Sequence, residues 1–340
     1  MKAFIYYGPG KLAIEERPIP QVGPKDVRVK VKRAGICGSD LTAYLIDGKK
    51  AGIWMNGEFG HEMVGVVDQV GNDVRDIREG DRVFVNPAVC KRSGMKGCDI
   101  AGAFSEYVLV EDAAYGYNLL RLKENVSFDE GVVIEPLAVG THAKNSVQLR
   151  AHEHVVIFGA GTIGLCTLNA VLATGCIDPV VVDLNRERLK IAESMGAKTF
   201  CPEDGELKDY LKNLFGTVSN SFGRKTADVD VFIDCAGAGP ILNQMIYLAK
   251  NKARIAIVAI YKKKIEFNAA LVLNSELTVK GCLAYEQEDV LEAIQNINEK
   301  RTHTPEIVTH HFAHKDAIEA FAFAADPSSG AIKVVIDYDE

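Results

Sequence analysis

Four side chains able to bind a borderline-soft metal ion stand in the first 135 residues. They are Cys37 in AGICGSD, His61 and Glu62 in GHEMVGVV, and Glu135 in IEPLAVGTHA. Singly, each has an ordinary explanation. A lone cysteine commonly serves as a small buried hydrophobe. A lone histidine is more often a hydrogen-bonded structural residue, and a glutamate before proline often sits near a helix start. As a set they suit Zn2+, which accepts sulfur, nitrogen and oxygen donors in tetrahedral geometry and keeps one position open in catalytic sites. Zinc so held polarises a hydroxyl or carbonyl oxygen. The set points to metal-assisted chemistry on an oxygen, with Cys37, His61 and Glu62 at the reacting centre.

A second constellation follows. Residues 155–164 read VVIFGAGTIG, an apolar run leading into G-x-G-x-x-G. In such a motif Gly159 permits the tight turn, Gly161 lets the backbone approach a pyrophosphate, and Gly164 lets the helix pack close to the sheet. Thr162 and Ile163 complete the turn at the positive end of that helix, where phosphates would sit. The motif alone is weak evidence. Here Asp183 supports it, closing the next apolar run 19 residues after Gly164. An acid there hydrogen-bonds both ribose hydroxyls of NAD and repels the 2′-phosphate of NADP. The competing explanation is that Asp183 caps the following helix. Arg188 would lie over the adenine or pair on the surface. Arg186 is the one nearby group that would help a phosphate bind, and the balance favours NAD.

Strands and helices must position these groups. The first ~150 residues, about one domain's length, read as β-rich, with strands at Asp26–Lys32, Glu62–Val70, Arg82–Val85 and Phe104–Val110. Phe128–Ala143 then reads as a helix. From Ala151 the pattern changes. Short apolar runs at Val155–Phe158, Val180–Asp183, Val229–Asp234, Ile255–Ile260 and Glu276–Lys280 alternate with helical segments. That alternation is the mark of a parallel, doubly wound α/β sheet. A helix at Asp289–Asn298 and a mixed tail to Asp337 follow. The tail is too short for a domain of its own and is expected to pack back onto the N-terminal part.

Composition narrows the class. With 340 residues, 47% of them apolar and 25% charged, the chain is an ordinary globular protein of about two domains. A net charge of −7 disfavours a nucleic-acid or anionic-membrane binder. The basic runs do not change this: Lys262–Lys264 reads as a solvated turn, and Lys30 and Lys32 alternate with Val29 and Val31 as on one face of a strand. Eight cysteines with no secretory leader at Met1–Gly10 point to a reducing cytoplasm rather than a disulfide framework. Val155–Ile177 carries no formal charge and is long enough to span a bilayer, but its glycines, threonines and asparagine fit a buried strand, turn and helix better.

Taken in order, GICGSD (Gly35–Asp40), GHE (Gly60–Glu62), GDRV (Gly80–Val83), FSEY (Phe104–Tyr107), EPLAV (Glu135–Val139), GAGTIG (Gly159–Gly164), Asp183–Leu189 and GCLAYEQED (Gly281–Asp289) resemble the zinc-type medium-chain dehydrogenases. The likeness is to their sorbitol, butanediol and threonine dehydrogenase branch, and it covers essentially the whole chain. It implies a GroES-like β-rich catalytic domain at 1–148 and 286–340, interrupted by a Rossmann domain at 149–285. It implies one catalytic zinc on Cys37 and His61, with Glu62 or Glu135 completing the shell, sometimes through water. Ser39 matches the family's hydroxyl residue that receives the substrate proton. The implied reaction is NAD-linked interconversion of a secondary alcohol (a polyol, sugar derivative or diol) and its ketone, in a homodimer or homotetramer.

The chain departs from the family pattern at two places. Many members carry four cysteines for a structural zinc. Here only Cys90 and Cys98 remain, and the first two ligand positions fall on Phe84 and Pro87, so no structural zinc is expected. Thr42 stands where relatives often have a histidine, so a proton relay must run through Ser39, cofactor ribose and water, or another group. Trp54, Tyr44 and Phe59 either line a cleft or pack in the β-rich domain. His310, His311 and His314 fit a surface strand between domains better than a second metal site. Two rival readings stand beside the main one: a zinc-free, NADPH-dependent enone or quinone reductase of the same fold, and a catalytically silent NAD-responsive binding protein.

Overall fold

In the computed structural model, which describes residues 1–90, 102–219 and 222–338, the chain divides into two units. One comprises Met1–Glu135, Ile297–Glu299 and Val308–Glu340; the other comprises Pro136–Asn296 and Lys300–Ile307. The first division falls within the helix Ile134–Ser146.

The first unit is organised by the strand Val27–Gly35. Its valines at 27, 29 and 31 are buried, while Arg28, Lys30 and Lys32 between them are half-buried. One edge pairs antiparallel with Glu62–Val70. The other pairs with Tyr107–Val110 near its start and with Lys333–Asp337 near its end. Beyond Glu62–Val70 the sheet continues through Arg82–Val85 and Leu119–Arg121, and Val308–Ala313 adds to Lys333–Asp337 in parallel. A second antiparallel sheet joins Lys11–Glu16, Lys2–Gly8 and Gly57–Glu58.

Four rings close this core. Phe4, Phe59, Phe104 and Phe321 touch in all six pairings, with centroids 5.1–6.2 Å apart. Offset and edge contacts of this kind contribute about 0.5–1.5 kcal/mol each beyond area burial. Phe59 is therefore a core residue. Tyr44 packs edge-on against Phe321, and Trp54 is exposed. Phe104 enters a turn, where its N–H donates to Phe59 O, so the strand expected from Phe104 begins at Tyr107.

The second unit contains a six-stranded parallel sheet in the order Lys198–Phe200, Val180–Val182, Val155–Phe158, Val231–Asp234, Arg254–Ile257 and Thr278–Gly281. Val155–Phe158, the earliest of these six strands in the chain, lies at the centre, and the order reverses beside it. That is the doubly wound arrangement whose switch point receives dinucleotides. The apolar stretch from Val155 resolves into a strand, a turn and the helix Thr162–Ala173. Among the described residues no helix is long and apolar enough to cross a membrane. The single helix expected over Phe128–Ala143 is two, Phe128–Gly131 and Ile134–Ser146. Pro136 explains the break: it has no N–H to donate to the carbonyl four residues back at Val132, so the ladder is interrupted there and Pro136 sits in the first turn of a new helix.

Candidate active site

Strand register builds the first site. Gly35 lies opposite Glu62 in the antiparallel pair Val27–Gly35 and Glu62–Val70. Cys37 comes two residues after the end of one strand and His61 one residue before the start of the other, so both leave the sheet at the same end. Cys37 is also the N-cap of the helix Gly38–Leu45. Its N–H donates to Asp40 Oδ2 at 2.9 Å, and its side chain receives the Asp40 N–H. This reciprocal box fixes where the sulfur points.

One ligand atom each from Cys37, His61 and Glu62 lies within 4.8 Å of the others, the one such group among the described residues. His61 and Glu62 are buried. Glu135, also buried, stands outside this group, yet its charge acts on His61. Burial alone would depress the pKa of His61; Cys37, Asp40 and Glu135 override it and hold the imidazole well above its ordinary value. Asp40 is fully buried, and desolvation pushes its carboxyl up to about 6 against the opposing pull of His61. The local field favours a cation at this point.

At this site two buried polar atoms, Ser39 Oγ and Asp40 Oδ1, have no hydrogen-bond partner among the described residues. Asp40 Oδ1 lies 3.8 Å from His61 Nδ1. Orphaned buried groups are costly, and a bound ion or water is one way of completing their bonding. The sulfur, nitrogen and oxygen donors, the cation-favouring field and these orphans together fit a zinc ion. Thr42 Oγ1 donates to Gly38 O at 2.9 Å, so this hydroxyl is engaged with its own helix.

Lys333 was not singled out from the sequence. Its Nζ lies 2.8 and 2.5 Å from the two Glu62 oxygens, and both residues are buried. The available signal was a charged residue in the apolar run Ile332–Ile336. The three C-terminal histidines engage different partners: His310 with Thr309, His311 with Asp337, and His314 with Phe104 O. Cys90 is buried, and Cys98 lies outside the described residues.

The second unit carries the other site. Gly159 has φ +100°, and Gly164 lets the helix close on the turn, since a Cβ there would lie 1.8 Å from Gly159 O. A Cβ on Gly161 would meet nothing nearer than Arg188 Nη1 at 3.8 Å. That face is open, at the N-cap of the helix Thr162–Ala173, with half-buried Thr162 and Ile163 in its first turn. Asp183 follows the strand Val180–Val182. Its Oδ2 accepts the Ala160 N–H at 2.6 Å and its Oδ1 the Asn185 N–H at 2.8 Å. The cap of the next helix is Asn185, which accepts from Glu187 and Arg188, so Asp183 is not that cap. Arg186 is held by Asp204 at 2.8 and 3.2 Å.

Residues 23–119 match the family described as alcohol dehydrogenase GroES-like domain, and residues 162–299 match zinc-binding dehydrogenase. D-xylulose reductase of Saccharomyces cerevisiae is 30% identical, the alignment covering 100% of this chain and 98% of that protein. (R,R)-butanediol dehydrogenase of Bacillus subtilis is 29% identical, covering 99% of both. The crystal structure of 2R,3R-butanediol dehydrogenase from Bacillus subtilis superposes with a TM-score of 0.86 at 28% identity, again covering 99% of both chains.

Proposed function

The chain belongs to the zinc-type medium-chain alcohol and polyol dehydrogenase family, and from that premise we propose that it interconverts a secondary alcohol of a polyol, sugar derivative or diol and its ketone, using NAD. The observation that carries this reading is the convergence of Cys37, His61 and Glu62 within 4.8 Å. The names of the relatives support the substrate class, since a ketose and a vicinal diol each present a secondary carbinol or its ketone.

Cys37, His61 and one carboxylate, Glu62 or Glu135, would hold one zinc. Bound there, zinc supplies Lewis acidity at the substrate oxygen, and NAD supplies the hydride acceptor. Ser39 Oγ, buried and without a partner, is the group we assign to take up the hydroxyl proton and pass it outward. Asp40 anchors the Cys37 backbone and faces His61, holding both ligands in place.

In the second unit, Gly159, Gly161 and Gly164 shape the turn for a pyrophosphate, with Thr162 and Ile163 at the helix start. Asp183 would receive the ribose hydroxyls, and Arg188 would border the adenine side. NAD is favoured over NADP because the Asp183 side chain would meet the ribose where NADP carries its 2′-phosphate, and the nearby Arg186 is already paired with Asp204. The cytoplasmic location expected from cysteine usage belongs to this reading.

We also assign self-association to the second unit. The strand Thr278–Gly281 ends the sheet, pairs only with Arg254–Ile257 among the described residues, and is exposed along its length. Ile260, Leu273 and Leu283 are 84%, 77% and 87% exposed. A bare edge strand can pair with its own copy about a two-fold axis.

Zinc analysis combined with NAD- and NADP-linked assays over a panel of polyols and diols tests the proposal. Stoichiometric zinc with NAD-preferring turnover is expected. Undiminished turnover in metal-free protein would sink the zinc mechanism.

A further inference from the structure

Three strands meet at Gly35. Glu62 faces it from one neighbouring strand and Val335 from the other, two residues on from Lys333. A Cβ at Gly35 would lie 2.2 Å from Glu62 Oε2 and 3.3 Å from Lys333 Cδ. Glycine there leaves the space in which the two side chains meet. Lys333 Nζ donates to Glu62 Oε1 at 2.8 Å, to Oε2 at 2.5 Å and to Ile36 O at 3.1 Å. Both charged residues are 1% exposed, so water screens neither.

This pair lies beside the sulfur of Cys37 and the ring nitrogens of His61. Glu62 is simultaneously within 4.8 Å of the Cys37 and His61 donor atoms. Asp40 feels both Glu62 and Lys333 electrostatically, and Glu135 adds further negative charge beside His61. Buried anions gathered this way repel one another and are costly unless compensated. A carboxylate oxygen has two acceptor sites, so one that receives a lysine proton can still face a cation with the other.

We propose that Lys333 is a built-in counter-ion for the metal site, holding Glu62 in place when the site lacks metal and sharing Glu62 with the metal when it is bound. The proposal rests on the reading of Cys37, His61 and Glu62 as zinc ligands. Lys333 and zinc then neutralise the same carboxylate. Each makes the other less necessary, and they repel each other across it. Their contributions to stability are therefore coupled with negative sign, which a lysine that merely ties the last strand to the sheet would not show.

The test is a thermodynamic cycle on the full chain. Wild type, Lys333→Met, Lys333→Arg and Cys37→Ser are stripped with chelator, and thermal midpoints are read with and without added Zn2+. Zinc affinity is measured by competition with a chromogenic chelator. Lys333→Met should lower the metal-free midpoint more than the zinc-loaded one, so its zinc-induced rise exceeds that of wild type. Its zinc dissociation constant should tighten about tenfold, within the usual range of couplings between sites. Lys333→Arg should behave as wild type. If Lys333→Met folds only with zinc, that also supports the proposal; if zinc does not restore it, the proposal fails. Equal zinc-induced rises in wild type and Lys333→Met, or unchanged or weaker zinc affinity in the variant, would overturn it. A different outcome, in which wild type gains nothing from zinc or Cys37→Ser gains as much, would instead remove the ligand reading on which it stands.

Discussion

The Asp183 carboxylate accepts the Ala160 N–H at 2.6 Å, tying the acid after one parallel strand to the Gly-rich turn after its neighbour. The two features expected to contact opposite ends of an adenosine diphosphate are thus fixed to each other before any ligand arrives. Replacing Asp183 with Ser should remove the anionic contact to the ribose together with the repulsion of a 2′-phosphate. Hydrogen bonds to a charged group are worth about 1.5–3 kcal/mol, roughly 10- to 100-fold. The ratio of kcat/KM with NAD to that with NADP should fall by at least about tenfold on that scale. An unchanged ratio in steady-state assays would show that Asp183 serves the turn alone.

Cys37→Ser separates metal binding from folding. Cys37 caps the helix Gly38–Leu45, and serine is among the best N-caps. The helix should therefore survive while the thiolate donor is lost. Zinc content measured on the purified variant should drop below stoichiometric. Activity should fall about a thousandfold or more, since Lewis-acid stabilisation is worth several kcal/mol. Far-ultraviolet circular dichroism should be unchanged. A variant that retains both zinc and turnover would remove Cys37 from the site.

Much of this arrangement was legible locally. The five apolar runs of the second unit and the alternation of Val27–Lys32 each report on one element and its own surroundings. The expected runs Val229–Asp234 and Ile255–Ile260 shrink to Val231–Asp234 and Arg254–Ile257, because strand ends depend on where a neighbour stops pairing. Pairing itself is non-local. Nothing near Gly35 announces that Glu62 lies opposite it, and Lys333 is 271 residues from the carboxylate it binds. The capping role of Cys37 was hidden for another reason: cysteine is not a usual N-cap, and only the Asp40 partner three residues on hints at the box. The strand Lys2–Gly8 escaped notice because it is buried over Ala3–Tyr6 without alternation, so no period marks it.

Glu58 gives a pH dependence whose sign is fixed. It lies in the short strand Gly57–Glu58, and burial pushes its carboxyl from 4.5 up to about 7, although the Ser105 hydroxyl donates to it at 2.6 Å and Arg17 opposes the shift. A raised folded-state value means the folded chain holds the proton more tightly than the unfolded chain. This group's stabilising contribution is full below pH 4.5 and is lost as pH rises through about 7. Glu58→Gln cannot ionise. Its thermal midpoint relative to wild type should become more favourable on moving from acidic to mildly alkaline buffer, while retaining an acceptor for Ser105. A midpoint difference that does not vary with pH would contradict the shift.

The edge strand Thr278–Gly281 makes a prediction about assembly. In a two-fold interface each substitution occurs twice, and a residue near the axis meets its own copy. Val279 is on that strand and Leu283 follows it, both exposed. Replacing both with Glu would set like charges opposite one another where apolar contact is expected, which destabilises directly paired strands. Neither side chain supports the core of its own unit, so the monomer should keep its thermal midpoint. Sedimentation should show wild type as a dimer or tetramer and the double variant shifted to the monomer mass. If wild type sediments as a monomer at micromolar concentration, or the variant keeps the wild-type mass, the edge is not the contact.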